Sequence, residues 1–92
     1  MKLLSIVNIE KKQGDVPIYY RKDYLAQALF QKTLHHHEQV NVDIEFSVEM
    51  ESTGDKKIEV HIQEDVDYPI MPLIHSLKKE IRQMESKGQI PW

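Results

Sequence analysis

The sequence predicts one small α+β domain. A three- or four-stranded sheet, mixed or antiparallel, carries two amphipathic helices packed on one face. Three observations lead there. Residues 39–51 alternate apolar and polar side chains without a break, residues 58–63 do the same, and residues 70–84 place apolar side chains at helical spacing. The chain has 92 residues, which suits a single domain over 1–92. The expected order is strand, helix, strand, strand, helix, with a short extra edge strand as an option.

The first strand covers residues 2–10, rich in Leu, Ile and Val. Its apolar residues fall on both parities (Leu3, Val7 and Ile9; Leu4 and Ile6), as in a strand covered in part on both faces. Lys11 to Asp15, with Gly14, reads as a turn. Val16 to Tyr20 is the optional extended piece, and Pro17 would confine it to an edge. Asp23 suits a helix N-cap. The first helix is expected from about Tyr24 to His37, with Leu25, Ala28, Leu29 and Leu34 as its apolar stripe.

Val40, Val42, Ile44, Phe46, Val48 and Met50 point one way along the next strand, and Asn41, Asp43, Glu45, Ser47, Glu49 and Glu51 the other. Ile58, Val60 and Ile62 alternate against Glu59, His61 and Gln63, after a hairpin loop near Gly54. Matching the apolar faces suggests Met50 opposite Ile58, Val48 opposite Val60 and Phe46 opposite Ile62. That register centres an odd-length loop on Gly54 and sets Glu49 against Glu59. Ile70, Leu73, Ile74, Leu77, Ile81 and Met84 mark the last helix, with Pro69 and Pro72 at its entry and Gly88 at its C-cap.

Charge is unevenly spread. The formal net charge is −3, yet residues 40–67 hold nine Asp/Glu against two Lys. Such a block disfavours a nucleic-acid surface, which needs Lys and Arg. It suits a basic partner or a cation. The absence of cysteine excludes disulfides, thiolate metal sites and a cysteine nucleophile. No stretch approaches the roughly 20 apolar residues of a membrane helix, so a cytoplasmic protein without a membrane partner is expected.

Catalytic templates are missing: there is no Gly-x-Ser-x-Gly elbow, phosphate loop or dinucleotide fingerprint. Asp43 and Glu45 share a strand face about 6.7 Å apart, but a flat sheet face makes a poor cleft. His35, His36 and His37 are consecutive, and helical neighbours point about 100° apart, so they do not converge on one ion. His75 reads as a surface histidine. No cofactor is expected.

The residues singled out for partner binding are Glu45, Glu49, Glu59 and His61 on the acidic sheet face, and Lys78, Lys79 and Arg82 on the last helix. The leading reading is a small protein-binding or assembly module that acts through this face or a sheet edge. A homodimer could pair the basic helix with the acidic patch of a second copy. The alternatives are a metal-dependent enzyme or metal-responsive regulator using Glu49, Glu59 and His61, and an acidic mimic of nucleic acid that occupies a basic protein.

Overall fold

A computed structural model describes residues 2–12, 20–32, 38–66 and 68–90. Four strands, β1 (Lys2–Lys11), β2 (Arg21–Gln31), β3 (Gln39–Met50) and β4 (Lys56–Ile62), precede one helix, α1 (Ile70–Ser86). The strands form an antiparallel sheet in sequential order β1-β2-β3-β4. The expected mixed option and the expected pair of helices are therefore corrected: one described helix covers one face of a four-stranded meander.

The segment assigned to a first helix is the strand β2. Tyr24, Ala26, Ala28 and Phe30 are buried at every second position, a period that a helix cannot produce. Leu25, Ala28 and Leu29 also satisfy helical spacing, and Ala, Leu and Gln are good helix formers. Pairing with β1 on one side and β3 on the other overrides that local preference. The expected helix residues 33–37, with His35 to His37, and the expected short strand at Val16–Tyr19 lie outside the described residues.

The two parities in β1 also have a backbone cause. Its pairing with β2 shifts register between Leu3 and Ser5 and between Val7 and Glu10, and Asn8 adopts φ 54°. These bulges reset which side chains face inward. Leu3, Ile6 and Ile9 thus all reach the core at spacings of three.

The β3–β4 register differs by two residues from the one expected. Ile44 faces Ile62, Phe46 faces Val60 and Val48 faces Ile58. Both registers keep the apolar faces together, so apolar matching cannot choose between them. Charge can: the observed register places Glu49 opposite Lys57 instead of Glu59. The loop is odd in length but centred on Thr53. Glu51 N–H donates to Asp55 O (2.8 Å) and Gly54 N–H to Glu51 O (2.9 Å), with Gly54 at φ 89°. This is a three-residue hairpin loop whose last residue needs a positive φ.

Leu73, Leu77 and Ile81 of α1 join Tyr24, Phe30, Ile44, Phe46 and Val60 in one buried cluster. The helix approaches β4 and β1, at the two ends of the sheet, more closely than it does the middle strands. The sheet therefore curls around the helix. Gly88, at φ 71°, ends α1 in a Schellman motif: Gln89 N–H donates to Met84 O (2.8 Å) and Gly88 N–H to Glu85 O (3.1 Å). At this end Lys56 pairs with Glu85 and ties the helix to the hairpin. The buried Tyr24 phenol stacks on Phe46 (centroids 5.0 Å apart) and is held above its usual pKa by burial, with the Glu85 carboxylate adding to the effect.

Candidate functional site

The face of the sheet turned away from α1 is built by the odd-numbered residues of β2, β3 and β4. Pairing arranges them in rows across the strands. Arg21, Glu49 and Lys57 form one row, and Asp23, Ser47 and Glu59 the next. Leu25, Glu45 and His61 follow, then Gln27 and Asp43. No described element lies over this face.

The charges are partly matched within it. Arg21 Nε lies 3.2 Å from Asp23 Oδ1, Lys57 Nζ 3.2 Å from Glu59 Oε1, and Lys12 Nζ 3.0 Å from Glu45 Oε1. The hydrogen bond and charge of Asp23 hold the Arg21 guanidinium above its usual pKa. The hydrogen bond and charge of Lys57 hold the Glu59 carboxyl below the ordinary carboxylate value. The stability that Glu59 contributes is thus present above the unfolded carboxyl pKa and is lost as pH falls through the lower folded value. A Glu59→Gln variant should lose part of the acid-side fall in Tm between pH 5 and pH 2. Identical acid-side profiles for the two proteins would exclude that ion pair from stability.

Carboxamides continue the face. Asn8 Nδ2 donates to Gln27 Oε1 (2.6 Å), Gln27 Nε2 to Asp43 Oδ1 (3.3 Å), and Gln63 Nε2 to Glu45 Oε2 (3.1 Å). Together with Glu10 and Leu25 these groups line a shallow depression of about 520 Å³.

The structure distributes the expected site residues over two sides of the molecule. Glu45, Glu49, Glu59 and His61 do share the open face. Glu49 and Glu59 are not directly opposed, however, and among the described residues no group of three or more His, Asp or Glu is placed to hold a metal ion. Lys78, Lys79 and Arg82 are divided by the helix. Lys78 and Arg82 line a groove beside β4, whereas Lys79 lines a separate hollow with Lys2, Leu3 and Gln83. The basic helix and the acidic face lie on opposite sides of the sheet. A two-fold dimer uses the same patch on both copies, so it cannot join them; that pairing would stack copies head to tail.

Sequence reasoning missed Leu25, which is 41% exposed in the middle of the acidic face, and the half-buried Leu29 and Val7 near it. Assigning residues 24–37 to a helix hid them. The available signal was that both parities of β2 carry apolar residues. A separate exposed apolar group, Tyr68, Ile70 and Met71, opens α1, and Tyr68 Oη donates to Lys32 O (3.4 Å). His75 is exposed on the helix.

Among the described residues no helix is long and apolar enough to cross a membrane. Neither a curated protein nor a solved structure matches the chain. A family model does match residues 1–86, and the chain belongs to the BB_0187 family.

Proposed function

We propose that this protein is a small binding module whose open sheet face docks a basic surface of a partner protein. One observation supports this reading above the others: an exposed leucine stands among carboxylates on a sheet face that no described element covers. Arg21 and Lys57 supply two cations there, against five acids in Asp23, Asp43, Glu45, Glu49 and Glu59. An apolar centre with a charged surround is the usual anatomy of a protein interface. The excess of acid would steer a basic partner and make the association fall with salt. His61, beside Glu45, sits at the rim of this patch.

The test is native mass spectrometry of the untagged protein isolated from its own cells, as wild type and as a Leu25→Asp/Glu45→Lys/Glu49→Lys variant. A stoichiometric protein partner retained by the wild type and lost by the variant is the expected result. A partner held equally by both, or a bare monomer from both, would remove the open face as the docking surface.

A further inference from the structure

The two edges of the sheet are built differently. The β1 edge is interrupted by two register shifts and a positive φ at Asn8, devices that block pairing with another strand. The β4 edge has none of these. It runs seven residues in continuous register with β3, without a bulge or a proline. Gln63 N–H donates to Asp43 O (2.9 Å), which makes the odd-numbered residues of β4 the ones bonded to β3. Antiparallel alternation then turns the backbone N–H and C=O groups of Lys56, Ile58, Val60 and Ile62 outward. No backbone group of another described residue meets them.

Beside this edge, α1 and β4 enclose an open groove of about 720 Å³. Lys56 and Lys57, on β4, are already paired with Glu85 and Glu59. Lys78 and Arg82 line the groove from the helix and form no ion pair with a described residue. Four residues of helix rise about 6 Å, while two residues of strand advance about 6.8 Å. The two cations are therefore spaced to meet alternate side chains of a strand laid along β4. A second copy is a poor occupant. Two-fold pairing of β4 with its own copy would bring both pairs of Lys78 and Arg82 to one side of the junction, where like charges repel.

We infer that the outer edge of β4 takes an extended peptide segment of another protein that carries acidic residues at alternate positions. The segment adds as a fifth antiparallel strand, its backbone pairing with Ile58, Val60 and Ile62 and its acids reaching Lys78 and Arg82. This site lies on the opposite side of the molecule from the proposed open-face interface and does not depend on it.

The probe is a capped seven-residue peptide alternating threonine and glutamate, labelled with fluorescein and followed by anisotropy. Hydrogen exchange monitors the amides of Ile58, Val60 and Ile62 in parallel. Binding in the micromolar to millimolar range is expected. It should weaken at least tenfold in Lys78→Glu/Arg82→Glu, vanish for the threonine–lysine peptide, and slow exchange at those three amides. The Glu45→Lys variant should bind the peptide as the wild type does, which separates this site from the open face. Both changes on α1 replace side chains on its solvent-facing flank, and an unchanged Tm verifies folding. Absence of binding at millimolar peptide, equal binding by the charge-reversed variant, or protection confined to the open face would overturn the inference. So would a concentration-dependent dimer that protects the same amides without peptide.

Discussion

Replacing Phe46 by alanine should lower stability by about 3–5 kcal/mol, the range for deleting a buried aromatic ring. Phe46 is fully buried in the central strand β3, opposite Tyr24 on β2 and Val60 on β4. Its ring stacks on Tyr24 with an interplanar angle of 20°, and such stacking adds about 0.5–1.5 kcal/mol beyond the area buried. Small domains hold only about 5–15 kcal/mol in all, so this one change removes a large share. In a domain of this size each kcal/mol moves Tm by about 4–8 °C. A fall of about 12 °C or more in a thermal melt is expected, with a smaller loss for Phe46→Leu. A fall of less than about 4 °C would mean that Phe46 is not at the centre of the core.

Leu77→Ala should cost about 2–5 kcal/mol, and its sign tests the docking of α1. Leu77 is fully buried between the helix and the curled sheet. If α1 were undocked, the same change would be neutral or slightly stabilising, because alanine is the better helix former. Met71→Ala is the matched control: Met71 is 73% exposed on the same helix, and a surface change of this kind stays within about 0.5 kcal/mol. Urea melts of the two variants read both values. Equal midpoints for Leu77→Ala and the wild type would separate the helix from the sheet in solution.

The difference between these two sites also shows what the amino-acid pattern could reveal. The alternation from Val40 to Met50 needs no knowledge of a partner, because successive strand side chains point to opposite faces whatever lies beside them. The same holds for the helical stripe of Leu73, Leu77 and Ile81 and for Gly88, whose positive φ completes a cap formed within a few residues. Glu45, Glu49, Glu59 and His61 could accordingly be grouped on one face before any pairing was known. The segment from Arg21 to Gln31 was different. Its residues satisfy both a helical and a strand period, and local propensity favours the helix. Only β1 and β3, distant along the chain at the pairings of Val7 with Gln27 and Leu25 with Glu45, make it a strand.

Local pattern was enough for the apolar and polar faces of β3 and β4, for the amphipathic helix α1 with its glycine cap, and for the acidic character of one sheet face. Long-range pairing set the identity of β2, the bulges that turn Leu3, Ile6 and Ile9 inward, and the two-residue choice of register between β3 and β4. It also arranged the candidate sites, placing Leu25 among the carboxylates and separating Lys78 and Arg82 from Lys79. The cause is range. Side-chain direction repeats within a few residues of one segment, whereas strand pairing, register and the side of the sheet taken by a helix depend on contacts between distant segments. Those contacts compete through small differences in packing and charge, such as Glu49 facing Lys57 rather than Glu59.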